Sequence, residues 1–306
     1  MIKKYTSKNV TWIDLEEPNR REIKSLMDDY KIHPLVANEL LIPTFRPSVE
    51  LHKNFIYLIL HFPILRHNKD GRNSENIEVD FIIGKDFLIT TRYNSFNPFQ
   101  KVSKTFEVEA VLDNKKNWEH AGYLFCYIIQ ELYETLINEL DYVENLQEGM
   151  EKGIFGGNEK QMVREISKVN HSLLDFKQAT VYHQEILDSL EEIGTKFFDK
   201  GFNYYLRDIN NKYRKVSHIL NTNIENLKEL RGTNDSLLAT KQNETMKIFT
   251  ILAFVTFPLS LIASIFGMNA VFIPVIGIKY DFWYIMGGMV AATGIMFVYF
   301  KYKKWF

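Results

Sequence analysis

Between Lys247 and Lys279 the chain carries no charged side chain, and a second uncharged run fills residues 282–300. The first opens IFTILAFVTFPLSLIASIFGMN at residue 248; the second reads FWYIMGGMVAATGIMFVYF. A helix as long as the second run spans about 28 Å, close to the roughly 30 Å of a bilayer's hydrocarbon. Soluble helices keep a polar face and seldom run so long without a charge. Pro258 lies inside the first run, where a membrane helix tolerates it because neighbours satisfy the freed carbonyl. The two runs predict a C-terminal transmembrane hairpin, with one span near residues 248–267 and the other over 282–300.

The rest reads as water-soluble. Mean hydropathy over the whole chain is −0.19, so the membrane portion is small. Lys plus Arg number 37 against 38 Asp plus Glu, a balance that exerts no pull toward nucleic acid or anionic lipid. The single cysteine, Cys126, excludes an intrachain disulfide and a cysteine-based zinc or iron–sulfur centre. The opening MIKKYTSKNVTWIDL lacks the apolar core of a secretory leader. Lys241 and Lys247 precede the first span, and Lys301, Lys303 and Lys304 follow the second. By the positive-inside rule both termini are cytoplasmic, in a multi-pass protein of the inner or plasma membrane, and residues 270–281 form the external loop.

Residues 1–115 are expected to form a mixed α/β domain. VTWIDL is a strand candidate, NRREIKSLMDDY and HPLVANELL are helices, and VELHKNFIYLILHFPIL holds paired strands. IEVDFIIGKDFLITTRY reads as a hairpin about Gly84-Lys85-Asp86, and residues 67–76 as an exposed loop. Residues 116–201 are expected to form long antiparallel helices, one over 117–152 and one running from the 153–160 break to about 200. From Phe202 an apolar seam repeats every three or four residues through Leu206, Ile209, Tyr213, Val216, Leu220, Ile224, Leu227 and Leu230. No strong stop follows before the first span, so residues 202–266 predict one helix nearly 100 Å long. A helix of that length needs companions, either copies of itself or neighbours in the same chain.

Another stripe of this helix is polar. Asn243, Met246, Thr250, Ala253, Phe257, Ser260 and Ser264 line it toward Gly267, with bulky Phe249 beside it. Small and hydroxyl residues on one face serve either helix packing or the wall of a water-filled path. The stripe ends at Gly267-Met268-Asn269, which closes the first of two C-terminal spans in a chain with a cytoplasmic N-terminal part and a basic tail. That constellation, with QNETMKIFTILAFVTFPLSLIASIFGMN and the ending YFKYKKWF, resembles the CorA family of magnesium transport proteins, with Phe266 in place of a usual tyrosine.

The resemblance implies an α+β cytoplasmic domain, a long stalk helix and two transmembrane helices in a funnel-shaped homopentamer. The partners implied are the bilayer, divalent cations and four further copies, with no nucleic acid. It implies a divalent cation channel for Mg²⁺ uptake, gated by intracellular divalent cation. Mg²⁺ is both cargo and candidate regulator, and no cofactor is implied. Asn269 would ring the mouth and hold the ion through its waters, because Mg²⁺ dehydrates reluctantly. Asn243, Met246, Phe249, Thr250, Ala253, Phe257, Ser260 and Ser264 would line the pore, and Lys301, Lys303 and Lys304 would form a basic collar. Glu134, Glu144, Glu148 and Glu151 would face either that collar or solvent. Asp208 resembles a regulatory cation ligand, with Asn210 and Asn211 able to add neutral oxygens and Glu78 and Asp80 as acidic partners to look for. Val275 and Gly232 stand where the family often carries acids, which lowers negative charge along the ion path.

Two other readings stay open on the residues. One is a Zn²⁺, Co²⁺ or Ni²⁺ transporter of the same fold; the other is a non-conducting membrane-anchored oligomeric scaffold or sensor. An enzyme is not expected. There is no phosphate-binding glycine loop, and the eight histidines are scattered without an HExxH or HxH pair. His171 and His183 are expected on the surface of a single helix.

Overall fold

The computed structural model describes residues 2–7, 9–44, 46–65, 74–94, 97–111, 119–199, 201–268, 276–277 and 279–303. The chain divides into two compact units, Met1–Gly232 and Thr233–Phe306.

The first unit is built on a six-stranded sheet of β1 (Ile2–Thr6), β2 (Thr11–Glu16), β3 (Ser48–Leu51), β4 (Ile56–Leu65), β5 (Ser74–Ile83) and β6 (Phe87–Arg92). The strand order is β1-β2-β6-β5-β4-β3, antiparallel except where β2 runs parallel to β6. The parallel pair is joined through the helices α1 (Arg20–Tyr30) and α2 (Pro34–Glu39) and the β3–β4–β5 hairpins. Asn19 starts α1 with a capping box, its side chain accepting from the Arg21 and Glu22 amides while Glu22 reaches back to the Asn19 amide. Pro34 opens α2, where its missing N–H costs nothing.

Because side chains alternate across a strand, the sheet has two faces. Ile13, Leu15, Tyr57, Ile59, Ile82 and Ile89 meet Ile23, Leu26, Val36, Ala37 and Leu40 of the first two helices. On the other face Trp12 packs against Phe99 and Phe106 of α3 (Asn97–Val111). Phe81 there meets Phe125 of α4 (Ala121–Phe155) edge-on, with ring centroids 5.2 Å apart. The sheet is thus the middle of three layers.

Three helices complete this unit's α-layer: α5 (Glu159–Thr180), α6 (His183–Phe197) and the first half of α7 (Asn203–Phe266). The long helix is a single element of 64 residues. Its seam is buried at Leu206, Ile209, Tyr213, Val216, Leu220 and Leu227. Ile224 and Leu230, expected in that seam, are half-buried, and Asn223 is fully buried instead. Asn223 Nδ2 donates to the Leu140 carbonyl at 3.1 Å, and Gln147 Nε2 donates to the Asn223 carbonyl at 2.8 Å. A polar rung therefore stands in an otherwise apolar α4–α7 seam. Gly194 adds a close approach: a Cβ there would lie 2.7 Å from Leu206 Cδ1.

Several expectations are corrected. The helix expected from residue 160 to about 200 is two helices, parted at Val181 and Tyr182. The Thr180 carbonyl accepts from the Tyr213 hydroxyl at 3.1 Å, so the turn there is tied to α7. That break turns His183 inward, and it is fully buried where a surface residue was expected. Residues 74–76 belong to β5 and not to the expected loop, whose remainder, 67–73, lies outside the described residues. β1 was not anticipated: its side chains are mostly exposed and supply little alternation to read.

In the second unit α7 continues from residue 233 to 266, and α8 covers Asp281–Tyr302. Ile251 and Phe300 are its buried apolar side chains, and the Phe254 and Phe300 rings meet at 6.3 Å.

Candidate functional site

Both apolar helices are long and apolar enough to cross a membrane. In α7, Phe254 meets Phe300 of α8 with ring centroids 6.3 Å apart. At 100° per residue Phe254 lies about 40° from Thr250 and about 80° from the middle of the row Met246, Thr250, Ala253, Phe257, Ser260 and Ser264. The row itself is largely exposed. Asn243, Met246, Phe249, Phe257, Ser260 and Ser264 are exposed in the single chain, Phe257 by 73%, while Thr250 and Ala253 are half-exposed. Thr250 donates its hydroxyl proton to the Met246 carbonyl at 2.8 Å, so its oxygen faces outward as an acceptor. Phe249, Phe257 and Met246 supply bulk on the same side.

At the end of the row the Gly267 amide bonds to the Ala263 carbonyl at 2.9 Å and the Met268 amide to Ile265 at 3.4 Å. Gly267 does not adopt the left-handed conformation, and a Cβ there would lie 3.1 Å from the Ala263 oxygen. Its smallness, not a positive φ, is what the helix end uses. Asn269 lies outside the described residues, as does Lys304. Lys301 and Lys303 are exposed at the end of α8.

The aromatic ends of α8 went unused in the sequence reading. Tyr280, Phe282, Trp283 and Tyr284 are exposed at one end and Tyr299 and Tyr302 at the other. Trp283 and Tyr302 are separated by about 28 Å of helix, the spacing of the two aromatic belts of a bilayer. The signal was the position of Trp and Tyr at the edges of the uncharged run.

The proposed regulatory residues are dispersed. Asp208 is half-buried and accepts from Gln130 Nε2 at 2.6 Å. Asn210, expected beside it, is buried and committed to α6, donating to Asp188 Oδ1 at 2.7 Å and accepting from Gln184 at 2.9 Å. The Asn210 bond and a second one from Gln184 Nε2 at 2.8 Å hold the Asp188 carboxyl below its ordinary range. Asn211 is exposed. Glu134 pairs with Lys212 at 2.6 Å, which lowers its carboxyl pKa, and Glu144, Glu148 and Glu151 are solvent-facing. Glu78 and Asp80 are 5% and 1% exposed and engaged inside the domain, so they do not present a surface to a bridging cation. Among the described residues no group of three or more His, Cys, Asp or Glu is arranged to hold a metal.

The model of the CorA-like Mg²⁺ transporter protein family matches residues 7–303. The chain belongs to that family. It is 25% identical over 300 residues to the cobalt/magnesium transport protein CorA of Thermotoga maritima, covering 98% of this chain and 84% of the relative. It is 24% identical over 318 residues to the magnesium transport protein CorA of Wolinella succinogenes, covering 98% and 92%. The complete structure of the CorA magnesium transporter from Methanocaldococcus jannaschii superposes with a TM-score of 0.86 at 19% identity, covering 100% of this chain and 98% of that one. The α/β domain, long helix and two apolar helices are therefore the CorA fold. This CorA-like chain is a membrane transporter of divalent cations and not an enzyme.

Proposed function

We propose that five copies of this chain surround a central pore that admits hydrated Mg²⁺ to the cytoplasm, down its electrochemical gradient. The observation that carries this reading is the exposed row from Asn243 to Ser264 of α7, much of it centred about 80° round the helix from Phe254, which meets α8. In a homo-oligomer that row would meet its own copies around an axis, with polar oxygens and apolar rings alternating along the path. The rings of Phe249 and Phe257 would close the path by dewetting, and five Asn269 carboxamides would bind the hydrated ion at the mouth. A neutral ring holds a cation without trapping it. Both termini would face the cytoplasm, with Lys301, Lys303 and Lys304 collaring the inner end. The Wolinella relative is named for magnesium and the Thermotoga relative for cobalt and magnesium, which favours Mg²⁺ and keeps Co²⁺ in the comparison.

The test is flux of Mg²⁺, Co²⁺, Zn²⁺ and Ni²⁺ into liposomes bearing wild type or Asn269→Ala, with native mass measured on both. Mg²⁺ flux, its loss in the variant and a mass of five protomers for both are expected. A Zn²⁺ preference overturns the magnesium assignment, wild-type flux in the variant overturns the mouth, and a conducting monomer or dimer overturns the pentamer.

A further inference from the structure

The buried acids of the first unit do something the transport path does not use. Asp80 and Glu78 lie two residues apart on one face of β5, Asp80 opposite Thr91 of β6 and Ile59 of β4, Glu78 opposite His61 of β4. Glu78 reaches out of the sheet. Its Oε2 accepts from the Thr44 amide at 2.6 Å and lies 3.3 Å from His61 Nε2, and its Oε1 accepts from the Thr44 hydroxyl at 3.2 Å. His61 Nε2 also donates to the Thr44 carbonyl at 2.8 Å. Asp80 Oδ2 accepts from the Tyr93 hydroxyl at 3.1 Å, and that hydroxyl lies 3.2 Å from the Glu39 carbonyl at the end of α2. The end of α2 and the Thr44 turn are thus fastened to the sheet through two carboxyls.

Asp80 is unusual in what it lacks. Among the described residues no donor reaches its buried Oδ1, nor do Tyr57 Oη and Thr91 Oγ1 on the same face find partners, and the group that adjoins Asp80 is the Glu78 carboxyl. The titratable groups that face it are Glu78 on its own strand, Glu39 of α2, Tyr57 of β4 and Tyr93 beyond β6, and none is a cation. Burial and then the Glu78 charge hold the Asp80 carboxyl well above the ordinary carboxylate range. A buried carboxyl with one neutral donor, facing anions and hydroxyls, keeps its proton. At His61 burial acts to lower the pKa, but the Glu78 and Thr44 hydrogen bonds prevail and raise it. A cavity of about 360 Å³ lined by Thr44, His61, Glu78, Tyr93, Gln178 and Tyr182 adjoins the fastening, so the Tyr93 hydroxyl links Asp80 to a polar space.

We propose that Asp80 carries a proton at neutral pH and shares it with Glu78, making the junction of α2, the Thr44 turn and the sheet a clasp that tightens in acid and loosens as pH rises. With the proton present, one carboxyl donates and the other stays an anion free to hold Thr44 and His61. With it gone, two buried carboxylates face each other, and only Glu78 has a cation to pair with, His61 at 3.3 Å. Once the segment is released, Asp80 is solvated and titrates at its ordinary value near 3.8. The clasp is therefore strongest below that pH and weakens with every unit above it, until Asp80 ionises in the fastened state as well. Linkage of one proton makes the opening constant rise about tenfold per pH unit in that window. His61 contributes with the same sign only above about pH 6.5, because it is protonated in both states below that.

Hydrogen exchange of the full-length chain in detergent, read on peptides covering residues 34–44 between pH 4.5 and 6 and corrected for intrinsic rate, isolates Asp80. Wild type is expected to show about a tenfold rise in opening per pH unit, and Asp80→Asn a flat profile. A flat wild-type profile, or equal slopes in both proteins, overturns the proposal. Should Asp80→Asn fail to fold, wild type alone decides. A protonated-carboxyl infrared band must persist at pH 7 alongside the exchange slope, and absence of either overturns it.

Discussion

His183 is held by two hydrogen bonds that fix its tautomer. Its Nε2 lies 3.0 Å from the His61 carbonyl, which can only accept, so Nε2 carries the proton and Nδ1 accepts from the Tyr133 hydroxyl at 3.0 Å. Burial brings its pKa down to about 3. The folded state thus binds no proton at His183 until pH is very low, whereas the unfolded state binds one below about 6.5. Its contribution is complete above 6.5 and is lost as pH falls toward 3, at up to about 1.4 kcal/mol per unit. His183→Phe should keep the ring volume, drop both hydrogen bonds and cost about 1–3 kcal/mol at pH 7. Thermal or denaturant unfolding of both proteins from pH 7 to 4 should show the difference shrinking in acid. A constant difference would mean that His183 is charged in the fold. Nothing in the sequence marked this residue: a histidine two positions past a helix break looks like any surface histidine until the break is known.

At the scale of elements, α7 was legible and the α5–α6 break was not, for one physical reason. Helix periodicity is local, and the seam from Leu206 to Leu227 repeats it plainly. The break at Val181 and Tyr182 has no proline or glycine, and its Thr180 carbonyl is bonded to Tyr213, more than thirty residues on. The same non-locality hid Asn223: it lies outside the apolar repeat, and the carbonyl that accepts its hydrogen bond is on α4. The α4–α7 rung it forms with Gln147 adds second acceptor bonds to helix carbonyls and leaves Gln147 Oε1 buried without a partner. Replacing both by leucine, Gln147→Leu with Asn223→Leu, should raise unfolding stability by about 1–3 kcal/mol, since a buried unpaired acceptor is removed. A loss of stability in a chemical-denaturation curve would show that the rung holds the seam together. The membrane row is a sequence pattern of hydroxyl and small residues on one face, and the mouth stays a motif, since Asn269 lies outside the described residues.

For the whole molecule, gating requires that a cation bind one state better than another. Asp208 accepts from Gln130, and among the described residues no group of three or more His, Cys, Asp or Glu is arranged to hold a metal, so an ion closed in at Asp208 would draw ligands from beyond them. If intracellular Mg²⁺ closes the pentamer through Asp208, Asp208→Ala should shift the internal Mg²⁺ concentration that halves flux upward, by about tenfold for a contact worth roughly 1.4 kcal/mol. Liposomes loaded with graded Mg²⁺ give that midpoint, and an unchanged value removes Asp208 from regulation.

The apolar helices come last in chain order, with α8 ending at Tyr302. Ribosomes deliver about 5–20 residues per second, so the chain between the end of β6 and the first span takes on the order of ten to thirty seconds to make, and the sheet has that long before the span appears. The sheet is then complete when the hairpin is handed to the insertion machinery. The half of α7 that enters the membrane is the continuation of a helix whose other half is tied to α4, α5 and α6. If copies of the chain cover its exposed row, that row stays without partners until they arrive.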